Sequence, residues 1–248
     1  LPTRRSSDVQ AGFAQSDVIE EIVSVPIDPN IEKLVQKIMA DRFFVFKDEQ
    51  KIICDSAVKL QSKIHQIYSG TVKTEEGNEK ILDKSKANYI LRNYQGKKIA
   101  IFYKFVAEGR AIKETIPNWT DDPEEFNQSK DKVFVCQIAS GSMGVNLSTA
   151  DILIFYNIDF SSVQYWQARA RLQTMNRDKP AVVHWLFSQN GIEKKIYNVV
   201  LKKKDYTLYY FMKDFGNGVK DSSKDHPILE TNRSIYNQNH SNKSKRRA

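Results

Sequence analysis

The chain has 248 residues, 40% of them hydrophobic and 27% charged, with a formal net charge of +8. This is globular composition for one large domain or a domain with extensions. It excludes a membrane-spanning helix within these residues, since no run of about 18 apolar residues occurs, and a disulfide or metal framework built on the two cysteines, Cys54 and Cys136. LPTRRSSDVQ, basic but followed by no apolar stretch, is not expected to act as a signal peptide.

The opening LPTRRSSDVQ carries no periodicity, and residues 1–27 read as unstructured or as cloning-derived sequence, with ordered structure starting near Asp28. In DPNIEKLVQKIMADRF, Ile31, Leu34, Val35 and Ile38 recur at helical spacing, with Asp28 or Asn30 placed to cap them. A short strand over 43–46 precedes a helical stretch ending at Gly70. TVKTEEGNEK reads as a loop or hairpin, and KANYILRNY as a short amphipathic helix. Residues 28–95 are thus expected to be mostly helical.

From Lys98 onward four apolar runs of strand length appear, over 99–105, 133–139, 152–157 and 181–187. They are apolar almost throughout rather than alternating, as strands covered on both faces must be. Helical patterns over 106–116, 161–173 and 191–204 separate or follow them. Strands alternating with helices imply parallel pairing and a doubly wound α/β domain. Ligands of such sheets bind beyond the carboxyl ends of the strands, so the loops after Phe105, Ala139, Asn157 and Phe187 are the ones that matter. The final segment, 215–248, is polar and Asn/Ser/Lys-rich and reads as a disordered basic tail. From Gly216 to Ala248 seven Lys/Arg stand against three acids, so half of the positive excess belongs to that tail. The basic balance favours anionic partners, nucleic acid first. The two thiols fit a reducing, intracellular, cytoplasmic setting.

Two stretches carry chemistry. In SGSMGVNLSTAD, Ser140, Gly141, Ser142 and Gly144 are small enough for backbone to approach a ligand, and Asn146 presents an amide. In SSVQYWQARARLQTMNR, Ser161 is an N-cap candidate. Gln164, Gln167 and Arg171 share one helix face by their spacing, and Val163, Trp166 and Ala170 form an apolar face beside it. An arginine braced by amides beyond a sheet edge is a natural reader of phosphate. His184 in AVVHWLF reads as a hydrogen-bonded core histidine, and Cys136 as a small buried hydrophobe. The acids Asp121, Asp122, Glu124 and Glu125 read as a solvated helix cap. Lys202–Asp205 reads as the polar face of the last helix.

The run ASGSMGVNLSTADILIFYNIDFSSVQYWQARARLQ resembles motifs V and VI of the superfamily-two helicases, closest to the Swi/Snf-like branch and its phage and prophage members. KKIAIFYKF is similar to motif IV, and KLQSKIHQIYSG to the stretch joining two RecA-like lobes. The resemblance spans about residues 30–212. It implies a RecA-like doubly wound parallel sheet over 96–214, the second motor lobe, behind an inter-lobe linker over 28–95. It implies ATP and Mg²⁺ held mainly by a first RecA-like lobe of the same polypeptide, and a track for DNA, or RNA, across both lobes. Arg171 matches the first motif VI arginine, the arginine finger, with Gln167 positioning it or the nucleotide. Gly144 and Asn146 match motif V positions near the nucleotide. Ser140, Gly141 and Lys104 fall nearer the nucleic-acid backbone, and no residue is assigned to a metal.

The chain departs from the family at two points. Where a second motif VI arginine is usual, it has Thr174, with Arg177 one turn further on. No Gly-x-x-x-x-Gly-Lys-Ser/Thr phosphate loop occurs. The reading is therefore the C-terminal motor lobe of an ATP-dependent helicase or translocase; the alternative is a non-catalytic nucleic-acid-binding module of degenerate RecA-like fold. The 248-residue chain alone is expected to hydrolyse no ATP; DNA-stimulated phosphate release by the purified chain would refute this.

Overall fold

A computed structural model describes residues 18–140, 146–147, 149–167 and 180–216. Six strands form one sheet: β1 (Val18–Val25), β6 (Ile99–Tyr103), β7 (Trp119–Thr120), β8 (Val133–Gln137), β9 (Ile152–Phe155) and β10 (Ala181–Ser188). Their order is β1-β10-β9-β6-β8-β7, and every pairing is parallel. Two antiparallel hairpins stand apart from it, β2 (Phe43–Val45) with β3 (Lys51–Ile53) and β4 (Thr71–Lys73) with β5 (Glu79–Ile81).

The apolar runs explain the centre of the sheet. Alternate residues of β6, β9 and β10 enter different cores, so each strand is buried on both faces. Phe102, Phe155, Val183, Trp185 and Phe187 face one core, packed with α1 (Pro29–Asp41), α2 (Ala57–Tyr68) and α7 (Glu193–Val200). Ile101, Ile154, Val135 and Leu186 face the other, under α3 (Ser85–Asn93) and α4 (Val106–Thr115). The first core is aromatic: Phe155 stacks on Trp185 at 4.4 Å and on Phe102 at 5.2 Å between ring centroids. Helix α5 (Pro123–Gln128) begins at Asp122, whose side chain accepts from the Glu124 and Glu125 amides. After β9 comes helix α6, described over 162–167.

The N-terminal expectation is corrected. Ordered structure begins before Asp28: Val18–Val25 forms an eight-residue edge strand paired with the whole of β10. Its sequence, VIEEIVSV, neither alternates strictly nor runs apolar, because adjacent acids put one carboxylate on each face. The 28–95 segment holds three helices and both hairpins, so strands share it with the helices. Helix α2 ends at Tyr68, two residues before Gly70, whose φ of +86° is a left-handed turn that favours glycine. Helix α7 is shorter than its sequence pattern and stops at Val200, with Leu201–Lys203 in a turn. A further helix, α8 (Leu208–Phe215), buries Phe211 against the aromatic core; its unbroken apolar run hides its period. The 217–248 tail lies outside the described residues.

One buried ion pair ties α3 to α7. Lys86 Nζ donates to Glu193 Oε1 at 2.9 Å and to the Tyr156 carbonyl at 2.9 Å, with the two side chains 2% and 0% exposed. Breaking one half of such a pair strands the other charge away from water. Lys86→Met is expected to cost about 3–5 kcal/mol in chemical denaturation, and Lys86→Met with Glu193→Leu to recover most of that loss.

Candidate functional site

Because all six strands run parallel, β6, β8, β9 and β10 release their loops on one edge of the sheet. The loops singled out from sequence therefore converge. Beneath them lies a buried polar relay. Asn157, fully buried after β9, donates from Nδ2 to Glu108 Oε1 at 2.6 Å. Its Oδ1 accepts from the Ile158 amide at 2.8 Å and from His65 Nε2 at 2.7 Å. Glu108 Oε2 in turn accepts the Lys104 and Phe105 amides at 2.8 and 2.9 Å, closing the first turn of α4 and ending β6 at Tyr103. One amide thus joins α2, β9 and α4.

Burial has consequences for protons here. It raises the Glu108 carboxyl above its ordinary range, against the pull of Lys86. It pushes His65 well down, with Lys104 adding to the effect. With an amide oxygen as acceptor, His65 is the neutral tautomer carrying its proton on Nε2, and its Nδ1 is buried without a hydrogen-bond partner. Phe105 and Phe160 flank the imidazole at 5.3 and 4.7 Å.

The chain runs from this relay into α6. Lys104 Nζ pairs with Asp159, which also accepts the Ser161 amide at 3.0 Å. Ser161 Oγ accepts the Gln164 amide at 3.4 Å, the cap expected from sequence. Asp205, from the segment between α7 and α8, accepts both the amide and the hydroxyl of Ser162, at 2.7 and 2.8 Å. Lys202–Asp205 is thus no helix face; its acid caps α6. The packed side of α6 also differs from expectation. Val163 is 59% exposed, and Ser162 and Tyr165 are buried in its place. Tyr165 goes inward because its hydroxyl finds a carboxylate there, Glu20 Oε2 at 2.9 Å. Trp166 does face the interior, donating to the Val200 carbonyl at 3.1 Å; Ala170 lies outside the described residues. Gln164 and Gln167 are exposed.

On the motif V side, Ser140 ends a 3₁₀ turn after β8. It is exposed and donates to the Gln137 carbonyl at 2.7 Å. Asn146 is exposed, and its backbone carbonyl accepts from Asn127 at 2.8 Å. The edge thus gathers Lys104, Ser140 and the start of the Gln167 helix, whereas Asn146 is held at Asn127, whose own carbonyl accepts from Lys98 at the start of β6. Gly141, Gly144, Arg171, Thr174 and Arg177 lie outside the described residues.

Residues 120–175 match the family model for the helicase conserved C-terminal domain. The chromatin-remodelling ATPase INO80 of Saccharomyces cerevisiae is 25% identical over 173 residues, 69% of this chain and 10% of that protein. Helicase SWR1 of the same yeast is 31% identical over 101 residues, 36% of this chain and 7% of its own. The chain therefore spans a small fraction of the curated relatives it matches. Among solved structures, the C-terminal part of the Fun30 ATPase domain has a TM-score of 0.56 at 14% identity, covering 79% of this chain and 92% of that one. The Sulfolobus solfataricus SWI2/SNF2 ATPase core, solved with double-stranded DNA, gives 0.51 at 19% identity, covering 82% and 47%. Residues 120–175 are thus similar to the helicase conserved C-terminal domain, and the fold is the one these ATPase structures share.

Within this lobe the remaining polar residues sort plainly. Asp121 pairs with Lys113 at 3.2 Å and Glu125 with Lys132 at 2.7 Å; with Asp122 on the α5 amides, these acids serve a helix start. Among the described residues no three His, Cys, Asp or Glu converge as a metal site, and no helix is long and apolar enough to cross a membrane. His184 is hydrogen-bonded as expected but partly exposed rather than in the core, its Nδ1 2.6 Å from the Tyr94 hydroxyl and its Nε2 3.5 Å from Glu21. Sequence reasoning missed Glu108, Asn157 and Asp205 as builders of this edge. Only Glu108 left a local signal, an acid at the third position of a helix after a strand.

A histidine held neutral makes stability depend on pH. Its folded pKa lies below the unfolded value of about 6.5, so below that pH the unfolded chain binds the extra proton and stability falls. Glu108 acts oppositely, since its raised pKa loses stability as pH rises above the unfolded carboxyl value. Comparison with His65→Gln isolates the histidine. The wild-type lobe should lose more stability between pH 7 and pH 5 than the variant, measured by denaturation midpoints. Parallel losses would show that His65 titrates normally.

Proposed function

We propose that this lobe is the second half of an ATP-driven motor on DNA, closing on a nucleotide held mainly by a first RecA-like lobe. The observation that carries this is the construction of α6. Its start is capped by Ser161 and Asp205 and its inner face is held by Tyr165 and Trp166, while Gln164 and Gln167 project into solvent from the ligand-binding edge. Four residues beyond Gln167 stands Arg171, the motif VI match.

The chemistry of this edge suits a polyanion. Its acids are already engaged: Glu108 by two amides and Asn157, Asp159 by Lys104 and Ser161, Asp205 by Ser162. Amide and guanidinium donors are what phosphate oxygens accept from. ATP with Mg²⁺ would supply the phosphoanhydride bond whose hydrolysis drives the motor. On this chain, Gln167 orients and Arg171 stabilises charge growing on the transferred phosphoryl group. Gly144 and Asn146 lie beside the nucleotide. Ser140 and Gly141 serve the nucleic-acid backbone, and Lys104 reaches a phosphate by exchanging Asp159 for it. Arg177, one turn past Thr174, is the second arginine candidate. The similarity to a core solved on double-stranded DNA supports DNA over RNA as the track. A phage or prophage setting rests on the motif resemblance alone, and a cytoplasmic location on that resemblance and the two thiols.

In the full-length protein Arg171→Ala is expected to lower kcat for DNA-stimulated ATP hydrolysis by about 10³-fold. Its affinity for duplex DNA should change by less than about threefold, a difference worth under 1 kcal/mol. Turnover that survives Arg171→Ala and disappears in Arg177→Ala moves the finger to Arg177. Turnover indifferent to both leaves the nucleic-acid-binding module as the reading.

A further inference from the structure

Glu20 lies on β1, 145 residues before Tyr165 in the chain, and its Oε2 gathers three aromatic donors. The Tyr165 hydroxyl donates at 2.9 Å, the Trp185 indole at 3.1 Å and the Tyr197 hydroxyl at 3.3 Å. The three rings also contact one another. Tyr165 meets Trp185 at 5.5 Å and Tyr197 edge-on at 5.8 Å, and Trp185 meets Tyr197 at 5.9 Å. One carboxylate thus joins four elements: β1, β10, α6 and α7. Among the three donors only Tyr165 belongs to the helix that carries Gln167.

We infer that Glu20 is a positioning residue for the candidate site, fixing the roll and depth of α6 through the Tyr165 hydroxyl; this rests on the proposed function of that helix. A helix held by its caps alone is free to rotate about its axis. The caps of α6 grip its first turn, through Ser161 and Ser162. Tyr165 is the next turn's inward residue. A charge-assisted bond from it to a strand locked along all of β10 adds a rotational restraint beside the Trp166 bond to the Val200 carbonyl. Gln167 sits two residues further on, on the opposite side, so rotation of Tyr165 outward turns Gln167 away from the edge. Such a shift changes orientation at the reacting centre more than ground-state binding.

The test uses the full-length protein and four variants. Glu20→Gln keeps the size of the side chain and removes its charge; Tyr165→Phe removes the donor on α6. Each should lower kcat for ATP hydrolysis about tenfold, with KM for ATP and affinity for duplex DNA within about twofold. The double variant should be no slower than either single one, since both break the same contact. Tyr197→Phe removes another donor to the same carboxylate, from α7, while keeping the ring that packs edge-on against Tyr165. It should lower the melting temperature comparably while leaving kcat within about twofold. Hydrogen exchange supplies a readout besides activity: amides 162–167 should exchange about tenfold faster in Glu20→Gln than in wild type, with α4 unchanged. If kcat falls in all variants in proportion to melting temperature, or if Glu20→Gln leaves both kcat and exchange unaltered, the inference is overturned. A wild-type protein active through Arg171 but indifferent to Glu20→Gln overturns this inference alone. A wild-type protein without turnover overturns the site reading and this one with it.

Discussion

The Asn157 amide is the joint on which the carboxyl edge depends. It is a neutral group with no exposed atom, and its oxygen and nitrogen are committed in different directions, to His65 on α2 and to Glu108 on α4. An apolar residue here would leave Glu108 Oε1 and the His65 Nε2 proton without partners in a dry interior, where each orphaned group costs about 1–3 kcal/mol. Satisfied, it sets where β6 stops, where α4 starts and from what point the chain departs toward α6. The segments that leave β6 and β9 are rooted in this fixed layer.

The middle of the sheet was legible in the sequence for a simple reason. A strand covered on both faces needs apolar residues at every position, so 99–105, 133–139, 152–157 and 181–187 announced themselves. Edge strands follow no such rule. In β1 the adjacent acids Glu20 and Glu21 point to opposite faces and are each met by partners far along the chain, Tyr165 and His184. Local pattern carries no trace of such meetings. The same division holds at the site. Ser161 could be read as a cap because the amide it serves is three residues away. Asp205, capping the same helix across 43 residues, could not. The inward turn of Tyr165 in preference to Val163 followed from the carboxylate waiting for it, which spacing alone does not show.

Electrostatically the lobe separates its charges by role. Its net positive charge is half tail, and around the carboxyl edge the excess is not a bare basic surface. Lys104 is bound to Asp159, and Lys86 to Glu193 beneath it. What the edge offers among the described residues is donors rather than unbalanced charge, the side-chain amides of Gln164 and Gln167 on α6. Such an edge discriminates by geometry, since donors must meet oxygens at defined positions, whereas a diffuse basic patch attracts any polyanion.

The position of β1 bears on how the molecule assembles. The pairings of β6 with β8 and β9, and of β9 with β10, close short spans of chain and can form as those segments are made. The pairing of β1 with β10 joins the first described strand to the last, and must wait until residues 18–188 have all been made. Contacts of such long span are slow to form, because loop closure precedes their reward. During synthesis, therefore, the sheet would stand for a time with β10 as its open border and three aromatic donors without their acceptor, until the earliest strand returns to finish it.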